Sequence, residues 1–145
     1  MELSRQADYA IRAMVDLASR ADEPRVQTKD IAQRQQIPNA FLPRIIASLS
    51  RAQLIHTYRG NQGGIALARS ASQISLLDVI QAIEGPIRLN RCTSQPSRCD
   101  RDHFCRVHPV WAQAQNYLNQ LLGGTKLTDL VNVPLEVKTL ATISN

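Results

Sequence analysis

The spacing of apolar residues predicts two helices at the start of the chain. Over residues 4–19, apolar side chains return every three or four positions, as they do on a helix that buries one face. Ser4 is suited to cap this helix. Thr28 is suited to cap a shorter one, whose first turn contains Asp30 at the positive end of the helix dipole. We therefore expect a helix, a polar link and a second helix.

A third apolar stripe, over residues 41–49, predicts a helix that begins between Pro38 and Ala40. Pro43 limits where this helix begins, because its ring would clash with the carbonyl oxygen four residues earlier, at Asn39. With Asn39 as the N-cap, Pro43 lies in the first turn or just past it, where proline is tolerated. We expect some strain at this point.

The next segment, LIHTYRGNQGGIALAR, predicts two strands joined by a turn that contains glycines, which is a β-hairpin. The segment SLLDVIQAIEG predicts another helix, capped by Ser75 and ended at Gly85. Three helices followed by a hairpin is the element order of a winged helix-turn-helix. The predicted fold class is mainly α with a small β-hairpin.

A longer helix, from Pro109 to Leu122, is predicted near the end of the chain. Proline suits its first position, and Gly123 suits its exit. One face of this helix is apolar and contains Val110, Trp111, Ala114, Leu118, Leu121 and Leu122. Such a face needs a partner surface to cover it.

Charge separates the chain into unequal parts. The 145 residues carry a net charge of +5, and 43% of them are hydrophobic, which is enough for one core. Residues 25–69 hold seven basic residues against one acidic residue, so this stretch attracts polyanions such as DNA. A solvated basic face explains the charge equally well. No apolar run is long enough to span a membrane and no signal peptide is recognisable, so we expect a cytoplasmic protein.

Polar residues of the third helix and the hairpin are suited to contact DNA. Asparagine can bind adenine and arginine can bind guanine in the major groove, and a thin basic hairpin can approach the minor groove. The positions that project from the apolar stripe are Asn39, Ala40, Arg44, Ser48 and Arg51, and Arg59 lies at the base of the hairpin tip. The alternative is a small α+β domain in which helix and hairpin only pack together.

All three cysteines lie between residues 92 and 105, and His108 follows. The pattern C-x(6)-C-x(5)-C-x(2)-H supplies thiolates and an imidazole, which are ligands for zinc or for the irons of an iron–sulfur cluster. An odd number of cysteines does not make a disulfide framework. Zinc, a cluster and ligand-free thiols all remain open, although the wide gaps favour a cluster.

The segments SRQADYAIRAMVDLA, IAQRQQIPNAFLPRIIASLSRAQLI, RGNQGGIALAR and ISLLDVIQAIEG, with the three-cysteine loop, resemble the Rrf2 family of bacterial winged-helix regulators. The resemblance covers residues 1–133. It implies a homodimer that binds double-stranded DNA at a palindromic operator, with the long helices forming the dimer. The resemblance implies that Asn39, Ala40, Phe41, Arg44 and Arg59 contact DNA, and with Arg51, Gly60 and Gly63 they make up the predicted DNA-binding positions. Pro43 departs from the family pattern, which puts the operator class in doubt but not DNA binding.

The resemblance also favours an iron–sulfur cluster over zinc. It implies Cys92, Cys99, Cys105 and His108 as ligands of a 2Fe–2S cluster, with a 4Fe–4S cluster as the alternative. In the second case Asp8 of the partner subunit would compete with His108 as the fourth ligand. The simpler alternatives are that His108 caps the following helix and that Asp8 pairs with Arg12.

The resulting division is a winged helix-turn-helix DNA-binding domain (1–72), a connecting helix (73–87), a cysteine-rich cluster-binding loop (88–108), a dimerisation helix with the following turn (109–133) and a tail (134–145). The predicted function is a transcriptional regulator, a repressor whose operator affinity depends on the cluster. The alternatives are a cluster-free regulator that senses a metabolite, a partner protein or thiol oxidation, and a small iron–sulfur redox protein. The sequence contains no nucleotide-binding glycine motif and no acid–base pair beside the loop, which argues against an enzyme.

Overall fold

The structure, a computed structural model, describes residues 2–134. Its elements in chain order are α1 (Arg5–Ala18), α2 (Thr28–Gln35), α3 (Leu42–Arg51), β1 (Ile55–Tyr58), β2 (Gly64–Leu67), α4 (Leu76–Glu84), α5 (His108–Gly124) and α6 (Leu127–Val131). Residues 135–145 of the predicted tail lie outside the described residues. Within residues 2–134, no helix has the length and apolar character needed to cross a lipid bilayer.

The first helix begins as predicted, and the second begins one residue earlier than predicted. The Ser4 hydroxyl accepts a hydrogen bond from the backbone N–H of Ala7 at 3.2 Å, which confirms the N-cap. Thr28 is not a cap but the first residue of α2, so that prediction is wrong. The reason is that the carbonyl of Gln27 already accepts the first helical hydrogen bonds, from Asp30 and Ile31.

An ion pair fastens α1 to α2. The carboxylate of Asp16 accepts hydrogen bonds from Arg34 at 3.0 Å (Nε) and 2.6 Å (Nη2) and from the Gln35 amide at 3.0 Å. The Asp16 side chain is only 5% exposed, so these three donors replace the water that its charge has lost. The first two helices of the winged helix-turn-helix are therefore held in one orientation by charge as well as by packing.

The third helix starts later than predicted because of Pro43. A 3₁₀ turn spans Asn39–Phe41, and the α-helix begins at Leu42. Proline has no N–H to donate to the carbonyl of Asn39, and its ring would collide with that carbonyl in an α-helical turn. The Asn39 carbonyl instead accepts from the N–H of Leu42, three residues on, which is the 3₁₀ pattern.

The predicted hairpin is confirmed, with Ile55 opposite Leu67 and Tyr58 opposite Gly64. The link before α2 adds a short third pairing, because Val26 and Ile65 exchange two backbone hydrogen bonds of 2.9 Å. The Ser75 cap is also confirmed, as part of a reciprocal capping box with Asp78.

One hydrophobic core joins helices α1, α2, α3, α4 and α6 with the hairpin. Its fully buried members include Met14, Ile31, Ile45, Leu49, Leu54, Ile74, Val79 and Leu127. Leu127 shows that α6, although distant in sequence, returns to pack on α1. The residues after α5 therefore take part in the core of the N-terminal unit.

The long helix extends beyond its predicted limits. It begins at His108 rather than Pro109 and continues through Gly123 to Gly124. The carbonyl of Leu121 accepts a hydrogen bond from the N–H of Thr125, so the backbone stays helical past the first glycine. Together these elements confirm a mainly α winged helix-turn-helix with a two-stranded hairpin.

Candidate DNA interface and cysteine loop

The N-terminal end of α3 presents a polar and basic surface. Asn39 and Ala40 are exposed in the 3₁₀ turn that leads into α3, Arg44 is exposed in the first turn of the helix, and Arg51 is exposed at its other end. At 1.5 Å rise per residue, Arg44 and Arg51 are separated by about 10 Å along the helix axis. The exposure fits the predicted DNA-binding positions, whose contact with DNA stays a prediction.

Phe41 differs from Asn39 and Ala40 because it is half-buried and packs against the core. The ring stands edge-on to the ring of Tyr9, with 4.9 Å between the centroids. The guanidinium of Arg12 lies over the other ring of this pair, 4.9 Å from the Tyr9 centroid. The structure thus gives Phe41 a packing role, in which it holds the 3₁₀ turn before α3 against α1.

The hairpin tip, which we call the wing (residues 59–63), carries an exposed arginine on a tight backbone. Arg59 is exposed, and Gly60 has a backbone φ angle of +94°, which residues other than glycine rarely adopt. Gly63 is buried; a Cβ there would lie 2.4 Å from the carbonyl oxygen of Tyr58. Gly63 therefore lets the wing close, and Gly60 turns the chain.

Arg25 belongs to the same surface and was absent from the predicted DNA-binding positions. Its guanidinium lies 4.0 Å from the centroid of the Tyr58 ring and donates a hydrogen bond to the Gln62 carbonyl at 3.3 Å. Gln27 donates to the Gly63 carbonyl at 2.7 Å from the same side. The only sequence signal was the basic composition of residues 25–69, because 33 positions separate Arg25 from Tyr58.

The cysteines lie in the long connection between α4 and α5. All three are free thiols and half-buried, and Cys92 occupies a 3₁₀ turn over Arg91–Thr93. Cys99 and Cys105 follow in irregular chain. Among residues 2–134, no three Cys, His, Asp or Glu side chains are gathered closely enough to hold one metal ion. The ligand set drawn from the sequence therefore stays a prediction.

His108 stands at the junction of the cysteine loop and α5. Its backbone N–H donates to the Cys105 carbonyl at 3.1 Å, so the two residues share one turn. Its Nδ1 atom is shielded from solvent and has no hydrogen-bond partner within the described residues. The helix starts without a side-chain cap, so the alternative that His108 caps it is wrong. An imidazole nitrogen that is shielded and unpaired within the described residues, three positions after a cysteine, is suited to bind a metal.

Asp8 is occupied by a neighbour on its own helix. Its carboxylate lies 3.0 Å from the guanidinium of Arg12, as the simpler alternative predicted. Arg12 also donates to the carbonyl of Gln35 at the end of α2, at 2.8 Å. Asp8 is 59% exposed, so its carboxylate remains accessible to solvent.

The loop is basic with an acidic centre. Residues 88–108 contain five arginines and two aspartates. The hydroxyl of Ser97, together with the imidazole of His103, holds the pKa of the Asp102 carboxyl below its ordinary value. Asp102 is therefore ionised at neutral pH and offsets part of the arginine charge beside the thiols.

Comparison with known proteins agrees with this geometry. The Rrf2 family model, described as an iron-dependent transcriptional regulator, matches residues 3–133. A protein of Mycobacterium tuberculosis strain H37Rv, whose name assigns it to the HTH-type transcriptional regulators, is 34% identical over 143 residues, which is 97% of this chain and 89% of its own length.

Two solved structures have the same fold. The T. potens IscR structure has a TM-score of 0.72 and 30% sequence identity, over 90% of this chain and 86% of that chain. CymR, titled the global cysteine regulator of B. subtilis, has a TM-score of 0.72 and 24% identity, over 90% of this chain and 96% of that chain. At that identity the likeness to CymR concerns the fold alone. The family match, the winged helix-turn-helix and the exposed basic surface together identify the chain as a DNA-binding transcriptional regulator of the Rrf2 family, not an enzyme.

Proposed function

We propose that the chain is a repressor that binds its operator as a homodimer and that an iron–sulfur cluster on the cysteine loop controls its affinity. The observation that carries the proposal is the donor set between α4 and α5. Three free, half-buried thiols precede a histidine whose Nδ1 is shielded and unpaired within the described residues. Thiolates with one imidazole nitrogen suit iron–sulfur chemistry.

Cys92, Cys99, Cys105 and His108 would hold the cluster, with 2Fe–2S favoured and 4Fe–4S as the alternative. When bound, the cluster supplies a centre that iron supply, oxidants or nitric oxide can alter. The protein would respond through its conformation, because residues 92–108 gain order when their side chains bind one cluster. His108 is the first residue of α5, so ordering the loop also fixes the start of that helix.

Helix α5 is the proposed dimer contact. Several of its apolar side chains are well exposed, with Val110 at 60%, Tyr117 at 68% and Leu121 at 54%. Exposed apolar surface of this kind is typical of a protein interface. A fixed α5 would set the distance between the two DNA-binding units, which has to match the spacing of operator half-sites.

The decisive experiment measures iron, acid-labile sulfide and zinc in anaerobically purified protein and records its visible spectrum. We expect iron and sulfide in equal amounts, with charge-transfer bands that disappear in Cys92→Ala. The neighbouring Ser94→Ala is the matched control and should keep the bands. Colourless protein with stoichiometric zinc would exclude the cluster.

The fourth ligand is tested by the spectra of His108→Ala and Asp8→Ala. We expect His108→Ala to shift the bands and Asp8→Ala to leave them unchanged, because His108 adjoins Cys105 and Asp8 is paired with Arg12. His103→Ala is the control, since that side chain is 90% exposed. A change confined to Asp8→Ala would reverse the assignment.

Sedimentation of Leu121→Asp tests the dimer. The charged side chain should shift the protein towards the monomer, whereas Val133→Asp, an exposed apolar position outside α5, should not. A dimer that resists Leu121→Asp would place the contact elsewhere.

A cluster-free regulator that responds to thiol oxidation is the second candidate. The positions of the cysteines favour it, since all three are half-buried free thiols and no three potential ligands among residues 2–134 lie close enough to bind one metal ion. CymR, which has the same fold, is titled a cysteine regulator, and its title does not mention iron. Operator affinity that responds to peroxide in metal-free protein would favour this candidate.

A further inference from the structure

Helix α5 carries one buried residue, and that residue is polar. Gln115 is 5% exposed, whereas most of the other side chains on the helix face solvent at least in part. A buried amide is costly unless its donors and acceptor sites are all matched. Its environment therefore reveals what the helix is built to hold.

The side-chain amide of Gln115 has every hydrogen-bonding position filled. Its Oε1 accepts from the backbone N–H of Leu89 at 2.8 Å and from the Thr93 hydroxyl at 3.1 Å. Its Nε2 donates to the carbonyl of Ile87 at 3.1 Å and to Asn119 Oδ1 at 3.0 Å. Three of these four partners belong to the segment that leads from α4 into the cysteine loop.

Thr93 connects this network directly to the first cysteine. It is the residue after Cys92 and closes the same 3₁₀ turn, in which its hydroxyl also donates to the Asn90 carbonyl at 2.8 Å. One hydroxyl hydrogen is therefore shared between Asn90 and Gln115. The position of this hydroxyl, and with it the bond to α5, is thus set by the same turn that holds Cys92.

Ile87 connects the network to the DNA-binding unit. It is 6% exposed and lies three residues beyond the end of α4, which packs on both α1 and α3. The same amide thus touches the turn of Cys92, the exit of α4 and the middle of α5. It bridges these three parts through hydrogen bonds of both its Oε1 and its Nε2 atom.

We propose that Gln115 is a positioning residue that transmits a change at Cys92 to α5 and α4. The regulatory meaning of this role rests on the proposed function, but the coupling itself is a property of the protein chain. Leucine at this position keeps a similar volume and removes all four hydrogen bonds. Gln81→Leu is the matched control, because Gln81 is an exposed glutamine on α4.

The first measurement compares operator affinity of cluster-loaded and cluster-free protein. Ordinary allosteric couplings change affinity by about 5–150-fold. We expect a ratio in this range for the wild type and for Gln81→Leu, and a ratio within about twofold of one for Gln115→Leu. Iron and sulfide content should be unchanged in both variants, since Gln115 is not a ligand. A wild-type ratio in Gln115→Leu would overturn the proposal.

The second measurement needs no cluster and therefore separates the two proposals. In protein whose only thiol is Cys92 (Cys99→Ser, Cys105→Ser), N-ethylmaleimide modifies that thiol, and hydrogen exchange then follows the amides of α5. We expect modification to change exchange in α5 when Gln115 is present and only around residues 90–94 in Gln115→Leu. Absence of any response in α5 with Gln115 present would overturn the inference, whatever metal the protein binds.

Thr93→Val removes a single hydroxyl and keeps the shape of the side chain, so it is the second variant to use if Gln115→Leu does not fold. It should lower the affinity ratio and the exchange response in the same direction. A purely structural role for the network would instead lower thermal stability and leave both responses at their wild-type values. That result in Thr93→Val would also overturn the proposal.

Discussion

Replacing Asp16 with asparagine tests the ion pair that joins α1 to α2. The substitution preserves the shape of the side chain but removes its charge and one of its acceptor oxygens. Asp16 is 5% exposed and accepts two bonds from Arg34 and one from Gln35. Breaking a fully buried ion pair costs about 3–5 kcal/mol. Arg34 is 32% exposed, so water can solvate its freed charge and reduce this cost.

We therefore expect Asp16→Asn to lower the free energy of unfolding at pH 7 by about 2–3 kcal/mol. For a chain of this size the melting temperature should fall by about 6–12 °C. Urea denaturation followed by circular dichroism measures the first quantity, and Asp22→Asn, at an exposed aspartate, is the control. A loss below about 0.5 kcal/mol would equal that of an ordinary surface substitution and refute the reasoning.

The pH dependence of the same pair of proteins gives a second check. Burial would raise the pKa of Asp16, but the hydrogen bonds from Arg34 and Gln35 and the nearby positive charges lower it overall, below 3.8. Because the folded protein binds this proton less readily than the unfolded chain, the stabilisation is present above about pH 4 and is lost as the pH falls through the lowered pKa. The difference between wild type and Asp16→Asn should narrow over that range, and a constant difference would contradict the assigned charge.

Three further predictions concern the wing, the DNA interface and the capping of α4. Gly63→Ala should reduce stability by about 1–3 kcal/mol in urea denaturation, because its Cβ would lie 2.4 Å from the carbonyl of Tyr58. Arg44→Ala and Arg59→Ala should each weaken operator binding, measured by fluorescence anisotropy titrations at several salt concentrations. An arginine that binds a base edge should contribute about 1–3 kcal/mol of binding free energy. The loss of a phosphate contact should instead reduce, by about one unit, the slope of the logarithm of the binding constant against the logarithm of the salt concentration. Unchanged binding in both would exclude these positions from the interface. Ser75→Ala should cost about 0.5–2 kcal/mol in the same denaturation assay, since it removes the N-cap of α4.

Local chemistry was readable in the sequence wherever a residue acts on its near neighbours. Ser4 and Ser75 were identified as helix caps because a capping side chain bonds to a backbone N–H only three residues away. The hairpin followed from alternating apolar residues around glycines. Pro43 showed that the start of α3 is constrained, although the 3₁₀ turn before it was missed, because spacing alone does not separate two helical geometries so close in period.

The sequence by itself also determined the family, the basic surface and the set of thiol and imidazole donors. Tertiary structure alone decided which distant residues meet. Arg25 stacks on Tyr58, Asp16 binds Arg34, and Gln115 bridges Ile87 and Thr93 across more than twenty positions. Such partners leave no periodic signal, because a hydrogen bond depends on distance in space and not on separation along the chain. One glutamine among several on the long amphipathic helix was therefore inconspicuous in the sequence, and its burial against the cysteine loop is a property of the fold.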